Sequence, residues 1–138
     1  MRPVPLVTTI IAAAATLELV SATCKTHTPS GARKWQMDFF SEPNCAGIHK
    51  PLNGTAKSGG SPGPSSTCHN LGYFDCDLVQ SFVFSPAKMS DGQSLSVVLY
   101  EGRDCKGKNL GQHGGAWTAK HVVGDQRLVN SIKIVYWD

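Results

Sequence analysis

The chain has 138 residues, 41% hydrophobic and 17% charged, with 14 glycines, 8 prolines and 5 cysteines. That length holds one ordinary domain and excludes most multi-domain enzymes. Helix-building composition is absent beyond the N-terminal segment, which argues against a coiled coil or helical bundle, and a net charge of +3 is too mild to indicate nucleic-acid binding.

Residues 1–22 read MRPVPLVTTIIAAAATLELVSA. Arg2 supplies a positive start, Leu6 to Leu17 an apolar run rich in alanine, and Val20-Ser21-Ala22 the small or β-branched residues of a cleavage site. This pattern predicts a signal peptide cut after Ala22, leaving a secreted, extracellular protein that starts at Thr23. The uncharged stretch from Pro3 to Leu17 falls short of the roughly 20 residues that span a bilayer, so no transmembrane anchor is expected. Residues 23–33 form an N-terminal arm before the first strand signal.

The rest of the chain reads as β-structure. Trp35, Met37 and Phe39 alternate with Gln36 and Asp38. Phe82 and Phe84 alternate around Val83, Leu95, Val97 and Leu99 around Ser96 and Val98, and Ile132, Ile134 and Tyr136 around Lys133 and Val135. Period-two patterning turns one face toward a core. Asn53-Gly54, Asp91-Gly92 and Glu101-Gly102 supply turn signals. The run Asn53 to Ser66, rich in glycine, serine and proline, predicts a long loop that forms no regular strand. It carries the sequon Asn53-Gly54-Thr55, so Asn53 is a glycosylation candidate. Gly111 to Gly115 reads as a second, shorter loop.

The chain repeats itself. WQMDFFSEPNCAG, from Trp35, resembles LSVVLYEGRDCKG, from Leu95: Phe40 matches Tyr100, Cys45 matches Cys105 and Gly47 matches Gly107. DCDLVQSFVFS, from Asp75, resembles DQRLVNSIKIV, from Asp125, aligning Ser81 with Ser131. The two blocks keep their order in both halves, which predicts a duplicated unit spanning 34–86 and 94–138, with the loop 53–66 as the extra length of the first copy. Cys24, Cys45, Cys68, Cys76 and Cys105 read as the disulfide framework of an oxidising compartment. Five is odd, so two bridges are expected with one cysteine left over, and spacing does not choose the pairs.

An aromatic, four residues, a large residue, one residue and glycine, followed later by serine and an alternating strand, resembles the βγ-crystallin Greek-key motif. YEGRDCKG with NSIKIVYW is the closer copy and FSEPNCAG with QSFVF the weaker one. Cys45 and Cys105 stand where the family usually has an aromatic, as in cysteine-bearing variants among small secreted fungal proteins. The resemblance implies an all-β, disulfide-bonded sandwich of two Greek keys over residues 34–138. It makes Gly47 and Gly107 the residues that permit a folded hairpin, and Ser81 and Ser131 those that tie it to the fourth strand. Many members bind calcium. Here only Asp77 and Ser81 fit that motif in the first copy, and Arg127 opposes it in the second, so no metal site or cofactor is expected.

Catalytic patterns are weak. His27, His49, His69, His113 and His121 lie in no HExxH motif, there is no GxSxG, and the histidines are read as solvated loop residues. Arg103, Lys106 and Lys108 cluster, with both lysines expected on one strand face, and Trp117 lies in a glycine-rich segment. These four are the candidate binding residues, for a cell-surface polymer or a host protein. The expected function is that of a non-enzymatic secreted binder, effector or antimicrobial and toxin-like, a class that among proteins of this resemblance includes yeast killer toxins. The alternative is a secreted protease inhibitor with Asn53 to Ser66 as its reactive loop.

Overall fold

A computed structural model describes residues 24–57, 64–72, 78–90 and 92–137. The signal segment, the tip of the predicted loop, Asp75, Cys76, Asp77 and Asp91 lie outside the described residues. Eight strands follow in order: β1 Lys34–Glu42, β2 Ala46–Thr55, β3 Pro64–Asn70, β4 Ser81–Pro86, β5 Ser94–Tyr100, β6 Asn109–Gly114, β7 Trp117–Ala119 and β8 Ser131–Trp137. They form two antiparallel four-stranded sheets, ordered β2-β1-β4-β7 and β3-β8-β5-β6. Each copy therefore places its first, second and fourth strands in one sheet and sends its third to the other. The two units interlock, and the core lies between the sheets.

Apolar alternation explains that core. Trp35, Met37, Phe39, Phe82, Phe84, Leu95, Val97, Leu99, Ile132, Ile134 and Tyr136 all point inward and are buried, each worth about 1.5–3 kcal/mol over an exposed side chain of its kind. Alternation breaks on the first sheet. Val83 and Asp38, expected outside, are 3% and 8% exposed. β4 is central there, between β1 and β7, and the N-terminal arm reaches its outer face: His27 N–H donates to Ser85 Oγ at 3.3 Å. Asp38 is held by Gln36 Nε2, which donates to both carboxylate oxygens at 2.9 and 3.1 Å, and by His49.

Two glycine-rich segments read as loops are partly strand. Asn53, Gly54 and Thr55 pair with Gln36, Trp35 and Lys34 at the end of β2, so Asn53-Gly54 makes no turn. Pro64, Ser65 and Ser66 pair with Trp137, Tyr136 and Val135 at the start of β3. Gly111 to Gly114 belong to β6 and pair with β5. All three strands are sheet edges, where one existing neighbour supplies the hydrogen-bond ladder that composition does not reveal and where Pro64 is tolerated as a first residue. Gly54 has a packing role as well: a Cβ there would lie 3.2 Å from the Trp35 ring. The extra length of the first copy goes largely into β2 and β3, of ten and seven residues, against six and three for β6 and β7.

His27 and His121 are exposed outside the strands, as expected, but the other three histidines depart from the solvated-loop expectation. His49, His69 and His113 sit on β2, β3 and β6. His69 meets the Trp35 indole edge-on at 4.8 Å, and burial pulls its pKa below the ordinary imidazole range. The unfolded chain then binds the proton more readily, so stability falls as pH drops through the ordinary imidazole range and levels off below the folded pKa. We expect the urea midpoint of the wild type to fall between about pH 7.5 and 5.5 by more than that of His69→Gln. Equal falls in both proteins would show that another group carries the dependence.

Candidate binding hairpin

The two β-hairpins that the repeat predicts share a backbone. Asn44 and Cys45 have φ of 60° and 58°, Asp104 and Cys105 have 60° and 56°, and Gly47 and Gly107 have 83° and 84°. Left-handed φ is costly for residues with a Cβ, so each fold needs anchors. At Gly47 a Cβ would collide with Ser41 Oγ, and at Gly102 one would lie 2.7 Å from the Lys106 carbonyl oxygen.

Serines on the fourth strands supply the anchors. Ser81 Oγ–H donates to the Glu42 carbonyl at 2.6 Å and accepts from Cys45 N–H at 2.8 Å. Ser131 Oγ–H donates to the Gly102 carbonyl at 2.5 Å and accepts from Cys105 N–H at 2.9 Å. The disulfides are Cys24–Cys45 and Cys68–Cys105. Cys45 and Cys105 are equivalent in the repeat but are bridged to different partners, one to the N-terminal arm and one to the exchanged strand β3.

Each hairpin has further ties: in the first, Asn44 N–H donates to the Lys120 carbonyl at 2.8 Å, Gln80 Nε2 to the Ser41 carbonyl at 2.9 Å and Ile48 N–H to Ser41 Oγ at 2.7 Å. The second is tied to β3 and to Asn130. Besides its disulfide, Asn70 on β3 grips Asp104: Asp104 N–H donates to Asn70 Oδ1 at 2.7 Å and Asn70 Nδ2 donates back at 3.0 Å. Asn130 closes its base through the Glu101 carbonyl at 2.8 Å. The hairpins differ in charge. The first turn is Glu42-Pro43-Asn44, whereas the second presents Arg103 and Lys106, both exposed.

The candidate residues are thus distributed unevenly. Lys106 and Lys108 precede β6 and share no strand face. Lys108 Nζ donates to Asp125 Oδ2 at 2.6 Å. Hydrogen bonding and attraction between these two raise the lysine pKa and lower the carboxyl pKa. Both are exposed, so solvent screens the pair, and Lys108 offers a partner less unbalanced charge than Arg103 or Lys106. Trp117 is half-buried. Phe82 meets it edge-on at 4.8 Å and His113 stacks on it at 5.3 Å, so it closes the sheet edge rather than offering an open stacking face. Asn53 is exposed on β2.

Two contributors escaped the sequence reading. Lys133 lies over the Tyr100 ring at 5.4 Å, beside the base of the second hairpin; its outward position in β8 was the available signal. His49 Nε2–H donates to Asp38 Oδ1 at 2.6 Å, and the imidazole stacks on Phe40 at 4.7 Å. No serine or cysteine among the described residues hydrogen-bonds this histidine, so the pair reads as a surface clasp joining β1 to β2. Among the described residues no group of three His, Cys, Asp or Glu side chains is placed to hold a metal ion, and no helix is long and apolar enough to cross a membrane. Comparison with family models, curated proteins and solved structures finds no match to this chain.

Proposed function

We propose that this is a secreted, non-enzymatic protein that binds an anionic extracellular or cell-surface target through the hairpin Tyr100–Lys108, in the manner of a small effector or antimicrobial, on a βγ-crystallin-like scaffold. The observation that carries the reading is the contrast between two hairpins of matching backbone, both anchored, of which the second presents exposed Arg103 and Lys106 at its turn. A disulfide, two serine bonds and the Asn70–Asp104 clasp set its shape beforehand, which lowers the ordering cost of binding. Arg103, Lys106 and the nearby Lys133 provide the charge. The serine ties from β4 and β8 support the crystallin-like resemblance, and two disulfides suit an oxidising compartment.

Fluorescently labelled mature protein on intact microbial and plant cells tests the proposal. Replacing Arg103, Lys106 and Lys108 together by serine should weaken attachment at low salt by about tenfold, since exposed charges contribute about 0.5 kcal/mol each. Stability should change by less than about 1 kcal/mol. Undiminished attachment by the triple variant, or turnover of a glycoside, ester or peptide by the purified protein, would overturn the proposal.

A further inference from the structure

At the end of the sandwich away from the second hairpin, a cavity of about 400 Å³ opens between the start of β1, the β4–β5 connection and β8. Arg33, Lys88, Met89, Ser90, Gln93 and Tyr136 line it. Two cationic residues, Arg33 and Lys88, line this one concavity, and no acidic side chain is among its described lining residues. Neither cation has an ion-pair partner among the described residues.

Arg33 is held there at a conformational cost. Its φ is 59°, a left-handed value uncommon for a long side chain, and strain of this kind concentrates at ligand-binding positions. Its carbonyl accepts from Ala56 N–H at 2.8 Å, fixing the backbone, and its guanidinium lies over the Tyr136 ring at 5.9 Å. The opposite wall is set by Ala87 N–H donating to the Lys34 carbonyl at 2.7 Å and by Gln93 N–H donating to the Ser90 carbonyl at 3.0 Å.

We propose that this cavity binds the carboxylate of an acidic sugar unit. A guanidinium offers a planar fork that matches a carboxylate, and an ammonium beside it adds a point charge. Ser90 adds an exposed hydroxyl beside Met89, on a loop whose shape is held by Ser90 N–H donating to the Gln93 carboxamide oxygen at 3.3 Å, a mixture suited to a ring with hydroxyls on its edge and C–H groups on its face. The volume is near the lower end of ordinary ligand pockets, so it holds one sugar unit of a polymer. The inference goes beyond the hairpin reading: it places a second anion-binding surface at the opposite end of the sandwich.

The test is calorimetric titration of the mature protein with a galacturonic acid oligomer, a neutral galactose oligomer of equal length, and inorganic sulfate. The acidic oligomer should bind saturably, and Arg33→Gln with Lys88→Gln should weaken it at least tenfold. Lys88→Gln alone, in an exposed connection, should weaken it several-fold with an unchanged melting temperature, which separates lost binding from lost folding. Equal affinity in the double variant, equal binding of the neutral oligomer, or sulfate binding as tightly as the oligomer would overturn the assignment. The hairpin triple variant should bind the acidic oligomer as the wild type does. If the wild type attaches to cells but ignores the oligomer, the cavity assignment falls while the binding role stands. If it binds the oligomer but no cell, the binding role falls and the cavity assignment stands.

Discussion

Replacing Cys68 and Cys105 together by serine is expected to lower stability by about 3–4 kcal/mol. The bridge closes a loop with a sequence separation of 37, and chain-entropy estimates for loops of this size fall in that range. Its position adds to the effect. It joins β3, the strand that the first copy sends to the second sheet, to the hairpin of the second copy, so it fastens the exchange that makes one core from two units. The Cys24–Cys45 bridge, with a separation of 21, ties only the N-terminal arm to the first hairpin. Its loss should cost less, because the arm can detach while both sheets persist. Urea unfolding of the two double variants measures the difference. A larger loss for the arm bridge would show that the arm, rather than the strand exchange, governs cooperativity.

Ser81→Ala is expected to cost about 2 kcal/mol. Ser81 is 0% exposed, and its hydroxyl satisfies the Glu42 carbonyl and the Cys45 N–H together. Alanine leaves the Cys45 N–H buried and unpaired, at about 1–3 kcal/mol, while the Glu42 carbonyl belongs to an exposed residue. Ser131→Ala should cost less. Cys105 in its hairpin is only half-buried whereas Cys45 is buried, so water can replace part of what Ser131 supplies to the Cys105 N–H. Urea midpoints again decide. A loss under about 1 kcal/mol at Ser81 would mean that the hairpin keeps its fold without the serine.

Much of the strand content was legible because it is local. Trp35, Met37 and Phe39, or Ile132, Ile134 and Tyr136, declare a buried face by alternation within a few residues. The paired hairpins were legible as a repeat, since Phe40, Cys45 and Gly47 recur as Tyr100, Cys105 and Gly107. The glycine-rich segments misled for the opposite reason. Asn53 to Thr55, Pro64 to Ser66 and Gly111 to Gly114 have no strand signal of their own and become strands beside β1, β8 and β5. Edge pairing of this kind is set by the neighbour's exposed backbone groups, which composition does not encode.

The candidate site divides in the same way. Arg103 and Lys106 were identifiable as a basic turn. That Lys108 is matched by Asp125, that Trp117 lies between Phe82 and His113, and that Asn70 grips Asp104 depend on residues distant in the chain. The cavity lined by Arg33, Lys88 and Tyr136 brings together three separate segments, none of which carries a motif.

By itself, then, the sequence determined an all-β chain of duplicated hairpins with an apolar face on each main strand, because side-chain alternation and turn chemistry act over a few residues. Tertiary structure alone decided which strand crosses between sheets, which cysteines pair and which charges face one another. Those outcomes depend on how two sheets bury a common face, and that packing brings together residues no local pattern relates.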